Sequence, residues 1–244
     1  MLTAVIITKN EEKNIGRCLE SLHFCNEILV LDNNSSDKTT TIAHKLGARV
    51  EHFSGLDDYS AIRNRGLELA HNNWVLFVDA DEVVSALLGK EIIRAIKRTD
   101  FNGYLIHRLD HLWGRELRYG DVGQVYLLRL GIKSAGTWVS KVHETWKVEG
   151  LIGHLHDPLY HYSHQTLEAF LKSINHYSTI RAQELFDGGA HSGLLQIIFY
   201  PLGKFIYLWI FKLGILDSMA GLIHAGIMSF YSFLVRGKLY LLSI

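Results

Sequence analysis

The first hundred residues switch back and forth between two hydrophobic periods. "LTAVIIT" (2–8), "EILVLD" (27–32), "ARVEHF" (48–53) and "WVLFVDA" (74–80) are short apolar runs rich in β-branched residues. Such runs suit strands buried on both faces. Between them the apolar positions recur at helical spacing. In "KNEEKNIGRCLESL" Ile15, Leu19 and Leu22 share a face, with Asn10 placed to cap the start. "NNSSDKTTTIAHKLG" predicts a turn, a serine cap at 35 or 36 and a helix ending at Gly47. "DDYSAIRNRGLELAHNN" predicts a third helix and "SALLGKEIIRAIKR" a fourth, capped by Ser85. This β-α-β-α order predicts an α/β fold: a mostly parallel sheet with helices on both faces.

Residues 101–163 lose that alternation. "GYLIHRL" and "QVYLLRL" read as short strands between polar, glycine-containing turns, extending the sheet with an antiparallel strand. Residues 166–186 return to helical spacing, with Leu167, Phe170, Leu171, Ile174 and Tyr177 on one face. The last fifty residues change character again. "LLQIIFYPLGKFIYLWIFKLGIL" is almost wholly apolar but is interrupted by Lys204 and Lys212, and the uncharged stretch 218–235 runs into "RGK". A spanning helix needs about 20 apolar residues, so both stretches stand at the margin. Lys204, Lys212, Arg236 and Lys238 against Asp217 make this tail basic. Aromatic and basic residues mixed into apolar helices predict a peripheral or re-entrant association with an anionic membrane surface. Spanning helices and a pair of core helices are the alternatives.

Composition narrows the class. With 48% hydrophobic and 20% charged residues, the 244-residue chain has enough apolar content for a packed core. Lys plus Arg equals Asp plus Glu, 25 each, which argues against a nucleic-acid partner. Two cysteines, Cys18 and Cys25, make no disulfide scaffold and point to a reducing compartment. "MLTAVIITKNEE" has no basic n-region and a short apolar run, so it reads as a first strand rather than a signal peptide.

The chemistry gathers at the strand ends, where open α/β sheets bind ligands. The first strand ends in Thr8, Asn10 and Glu11, the second in Asp32, and the fourth in Asp79 and Asp81. No GxGxxG follows the first strand and no GxxxxGK[ST] occurs, which disfavours dinucleotide and P-loop sites. Carboxylates converging from three segments need a positive charge. Mg²⁺ or Mn²⁺ held by one or two carboxylates and a substrate's phosphates would supply it.

These segments carry a resemblance. "TAVIITKNEEKNIGRCLESL…EILVLDNNSSDKTTTIAHKLGARV…AIRNRGLELAHNNWVLFVDADE" resembles the GT-A domain of family 2 glycosyltransferases over residues 2–85, and more loosely through "KVHETW" to about 163. Within that family the chain looks most like small bacterial enzymes that add glucose to the lipopolysaccharide inner core. The resemblance implies a GT-A catalytic domain over 1–165, with a nucleotide-sugar half (1–100) and an acceptor half (101–165), followed by a helical, membrane-associating region over 166–244. It implies that Thr8 and Glu11 line the nucleotide pocket and that Asp32 bonds the base, taken as uracil. Arg63 and Asn64 stand where the family has residues near diphosphate and ribose. Asp79 would meet the ribose or metal, and Asp81 would hold Mg²⁺ or Mn²⁺. The implied donor is a UDP-sugar, the acceptor a glycan or glycolipid, and the place of action the cytoplasmic face of the inner membrane.

Inverting transfer needs a carboxylate base on the acceptor side, distinct from the metal ligand. Glu144 in "SKVHETW" is the candidate, with Glu82 and Asp121 as competitors. The histidines of "HLHDPLYHYSH" match no standard zinc spacing, and "HETWK" lacks the second histidine of HExxH. His143 and His161 are kept as site candidates, and Trp113 and Trp138 as residues that would either stack on a sugar or pack. Two rivals are a nucleotidyltransferase, which the acidic, glycine-poor "KNEEKNIG" disfavours, and a non-catalytic lipid-surface module.

Overall fold

The computed structural model describes residues 1–53, 58–123, 125–140, 144–162 and 166–244. The chain divides into two compact units: Met1–Arg108 with Tyr126–His161, and Leu109–Val125 with Tyr162–Ile244.

The first unit holds the alternating pattern. Strands β1 (Leu2–Thr8), β2 (Glu27–Asp32), β3 (Arg49–His52) and β4 (Trp74–Asp79) alternate with helices α1 (Ile15–Glu20), α2 (Thr39–Lys45) and α3 (Tyr59–Leu69). β5 (Glu82–Val84), α4 (Ala86–Ala95), β6 (Gly103–Leu112), β7 (Arg115–Leu117), β8 (Val125–Ile132), β9 (Gly136–Val139), β10 (Thr145–Val148) and β11 (Ile152–His161) follow. The main sheet runs β3-β2-β1-β4-β8-β6-β11-β5. β1 is parallel to β2 and β4, and β2 to β3, whereas β8 is antiparallel to β4 and β11 to β5. Every residue of β1 is buried, as its unbroken apolar run requires of a strand covered on both faces. One core cluster packs α1 and α4 against Ile6, Val30 and Leu76; the other sets Ile62 and Leu67 of α3 against Val5, Leu31 and Phe77. β9 and β10 form a separate ribbon, with Trp138 opposite Trp146.

Two caps differ from expectation. Ser85 caps α4 as predicted, accepting the Leu88 N–H. Asn10 does not cap α1, which starts at Ile15; Asn10 sits at φ 57° and its Oδ1 accepts the Ser36 N–H instead. Ser36 is thereby drawn away from α2, and Asp37 Oδ1 accepts the Thr39 N–H in its place. Both corrections have one cause: the polar loops after β1 and β2 bond to each other, so their side chains are not available as local caps.

The second unit contains the β6–β7 hairpin end and three helices, α5 (Leu167–Asp187), α6 (Leu194–Ile206) and α7 (Ser218–Leu242). Thr166 caps α5. A π turn, Tyr207–Phe211, and a 3₁₀ turn, Gly214–Asp217, join α6 to α7. Leu112, Leu117, Phe170, Ile174, Ala220 and Ile227 form its core. Two stretches, Leu194–Phe211 and Gly214–Leu242, are long and apolar enough to cross a membrane, with mean hydropathies of 1.6 and 1.4.

Candidate active site

Parallel register aligns the strand ends. Thr8 pairs with Asp32 across β1–β2, and Ile7 with Asp79 across β1–β4, so three of the expected residues end neighbouring strands. Adjacent strands lie about 4.8 Å apart, close enough for one small ligand to span them. Asp32 is buried. Its Oδ2 accepts the Ser35 N–H and lies 3.2 Å from His52 Nδ1. Its Oδ1 and the Thr8 Oγ1 are buried and have no hydrogen-bond partner among the described residues. A buried polar atom left unpaired costs about 1–3 kcal/mol, so this pair of atoms is poised to receive a ligand. Glu11 Oε2 accepts from Asn14 Nδ2 at 2.8 Å. Burial pushes the Glu11 carboxyl up; Asn14 opposes this, and the negative charge of Asp81 adds to it.

Arg63 stands at the centre of the next layer. α3 comes so close to the sheet that a Cβ on Gly66 would meet Val5 Cγ1 at 2.7 Å. One turn before Gly66, Arg63 is therefore carried onto the strand ends and buried. Its Nη2 donates to Asp79 Oδ1 at 2.8 Å and its Nε to Glu144 Oε1 at 2.9 Å, and its guanidinium stacks over Trp138 at 4.6 Å. Arg129 of β8, also buried, donates through Nη2 to Asp79 Oδ2. Burial works to raise the Asp79 carboxyl, but the Arg129 and Arg63 guanidinium groups outweigh it and hold it well below the usual carboxylate range. Glu82, fully buried, accepts the Asp79 N–H at 2.8 Å, and burial pushes its carboxyl up despite Arg129.

Asp81 lies in the turn between β4 and β5. β5 pairs antiparallel with β11, which puts Glu82 opposite His161. His161 Nε2 then lies 3.3 Å from Asp81 Oδ2. Among the described residues no group of three or more His, Cys, Asp or Glu side chains is placed to hold a metal ion. The Asp81 carboxylate is nevertheless a donor suited to Mg²⁺ or Mn²⁺, which take one or two carboxylates and complete their shell with substrate phosphates and water; the imidazole of His161 beside it is a poor ligand for Mg²⁺.

Residues 3–133, more than half of the chain, match the model of glycosyl transferase family 2. The chain belongs to that family. It is 28% identical to the lipopolysaccharide core biosynthesis glycosyltransferase LpsC of Rhizobium meliloti over 251 residues, 98% of this chain and 92% of LpsC. It is also 28% identical to an uncharacterized glycosyltransferase of Rickettsia bellii over 258 residues, all of this chain and 87% of the relative. Among solved structures, S. aureus TarS 1–349 aligns with a TM-score of 0.51 at 16% identity, over the whole chain and 92% of TarS 1–349; that likeness shows the fold alone. The GT-A fold expected of a family 2 glycosyltransferase is the one found, and the protein is an enzyme of that class.

Within this glycosyltransferase several expected roles shift. Asp79 was expected to share the metal, but both its oxygens accept from arginines, Oδ1 from Arg63 and Oδ2 from Arg129. Asn64 was expected near the ribose, but its amide is used by the Trp138 backbone: Oδ1 accepts the N–H at 2.8 Å and Nδ2 donates to the C=O at 2.9 Å. Asn10 ties two loops together through Ser35 and Ser36. Trp138 packs in the core against Phe77 and Trp146, and Trp113 packs against the core of the second unit. His143 lies outside the described residues. His156 bonds Glu91 and His154 meets the Tyr126 ring edge-on, as ordinary surface histidines do. Cys18 and Cys25 are free thiols, and burial pushes Cys25 up to about 12, out of reach of thiolate chemistry. Arg129 is the residue that motif reading missed. Its signal was an arginine inside the apolar strand "VYLLRLGI", a position that demands a buried acid as partner.

Proposed function

We propose that the enzyme is an inverting, metal-assisted transferase that moves a sugar, with glucose the first candidate, from a UDP-sugar to a glycan or glycolipid acceptor of the lipopolysaccharide-core type. The observation that carries the donor reading is the pair of buried oxygens Thr8 Oγ1 and Asp32 Oδ1 at adjacent strand ends, both without a partner among the described residues. Asp32 Oδ1 is an acceptor of the kind that a uracil imide N–H would satisfy. Similarity to LpsC along nearly the whole of both chains supports the acceptor class.

In this reading Asp81, with His161 beside it, would hold a divalent ion, Mg²⁺ or Mn²⁺, which would neutralise charge on the departing diphosphate. Arg63 Nη1, buried and without a partner among the described residues, is a donor for a phosphate oxygen. Glu144 takes the proton of the attacking acceptor hydroxyl. Arg63 fixes that carboxylate through Oε1, which leaves Oε2 to meet the acceptor. Asp79 anchors both arginines and so orients the layer without touching the sugar. Catalysis belongs to the first unit, whose residues all fall within the expected catalytic range 1–165, and residues 166–244 are the membrane-associating part, lying on or in the interface at the cytoplasmic face of the inner membrane.

Calorimetry with UDP and GDP, each with and without Mn²⁺, tests this. The expected result is Mn²⁺-dependent UDP binding that Asp32→Ala weakens. Equal UDP affinity with and without the cation would remove the metal role, and no binding of either diphosphate would remove the donor reading.

A further inference from the structure

The second unit contains a cavity with the chemistry to recognise a lipid. α6 has no buried residue, and Leu195, Phe199, Leu202, Ile206 and Ile210 along α6 and the π turn are exposed. Within this apolar surface lies an open groove with room for about 500 Å³, a shallow cavity lined by Phe199, Tyr200, Gly203, Lys204 and Tyr207, with Ser232 of α7. One cation lines it and two more lie against its lining rings. Lys204 lines the wall and is steadied by Asp121 Oδ2 at 3.2 Å. The Arg236 guanidinium lies over the Tyr200 ring at 4.3 Å, and the Lys212 ammonium over the Tyr207 ring at 5.8 Å. The last contact depends on the π turn: the Lys212 N–H donates to the Tyr207 C=O at 2.8 Å, and this wide turn brings residues five apart onto one side. The fourth basic residue of the tail is not available. Lys238 Nζ donates to Asn175, Ser178 and Thr179 and clamps α7 to α5.

We propose that this cavity binds the phosphate head group of an anionic membrane phospholipid, resting on the reading that this unit lies on a membrane. Lys204, Lys212 and Arg236 face the phosphate, while Phe199, Tyr200 and Tyr207 lie against the glycerol and first methylenes. Cations held over aromatic rings beside an apolar surface are placed at head-group depth when that surface enters the acyl boundary. Residues 194–244 carry four basic side chains against the single acid Asp217, so the charge is complementary to an anionic leaflet. Asp217 itself is engaged by the backbone N–H groups of Arg118 and Tyr119. Gly203 opens the wall: a Cβ there meets nothing within 4 Å.

The test is co-sedimentation of the full chain with vesicles of phosphatidylcholine alone and of phosphatidylcholine mixed with phosphatidylglycerol. Wild type should prefer the anionic vesicles. The double variant Lys212→Ala/Arg236→Ala should lose roughly 25-fold of that preference, about fivefold per cation near an anionic surface, and keep its affinity for neutral vesicles. Gly203→Glu, whose Cβ enters open space, should lose the preference while melting like wild type. Lys172→Ala/Arg181→Ala, which removes two charges of the same unit that do not line the cavity, should change little. Equal loss in that control, or unchanged preference in the first two variants, would overturn the site while leaving the membrane reading intact. Wild type that binds neither vesicle would overturn both. Displacement from anionic vesicles by millimolar glycerol 1-phosphate would assign the cavity to a soluble phosphate and overturn the lipid.

Discussion

Arg63 joins Asp79 and Glu144 through one guanidinium, Nη2 to Asp79 Oδ1 at 2.8 Å and Nε to Glu144 Oε1 at 2.9 Å. The two acids are 65 positions apart in sequence (144 − 79) and come from different elements of the fold, so this side chain sets the distance between the donor-side layer and the proposed base. Arg63→Lys keeps the charge but cannot reach both acids with fixed geometry. Its kcat/KM should fall about 10²-fold, the scale of an ångström-level misplacement. A steady-state assay with the preferred UDP-sugar checks this; kinetics within threefold of wild type would show that the bridge does not position the base.

Glu144→Gln keeps the shape of the side chain and removes its ability to take a proton. Turnover should drop by about 10²–10⁴, the usual contribution of a positioned base, while UDP binds as in wild type. Paired calorimetry and rate measurement separate the two effects. A variant that turns over normally would return the base role to Glu82 or Asp121. Glu82 is the weaker of those, because it is fully buried and bonded to the Asp79 N–H.

Arg129→Gln tests the buried ion cluster through pH. Asp79 is held below its usual range, so in wild type its contribution to stability is present above about pH 3.9 and is lost only as pH falls through the depressed folded value. Glu82 is raised, so its ionisation opposes folding as pH climbs through and above the ordinary carboxylate range. Removing Arg129 takes a cation from both acids, and both should then protonate at higher pH. The variant should be less stable than wild type by about 3–5 kcal/mol at neutral pH, the cost of breaking a buried pair. The gap should narrow on acidification, as protonation removes the unpaired charge. Denaturant melts at pH 7 and pH 4 measure it; a gap independent of pH would mean that Arg129 acts by packing alone.

Much of this enzyme was legible in local pattern. The four parallel strands, their helices, the Ser85 cap and the placing of Thr8, Asp32 and Asp79 at strand ends all follow from short-range signals: apolar period, turn chemistry and the rule that open sheets bind at strand ends. The basic, apolar tail was visible for the same reason, since composition needs no partner. The site's inner wiring was not visible. Asn64 is a sound polar candidate in sequence, yet its amide is consumed by the Trp138 backbone, 74 positions on. Arg129 sits in an apolar strand that calls for a buried acid, but which acid was decided only when β8 paired beside β4 and brought it to Asp79. His161 reached Asp81 only because β5 and β11 pair antiparallel at the sheet edge. A run of residues specifies its own period and therefore its own element, but a carboxylate's partner depends on which strands become neighbours, and that is settled by burial of the whole sheet.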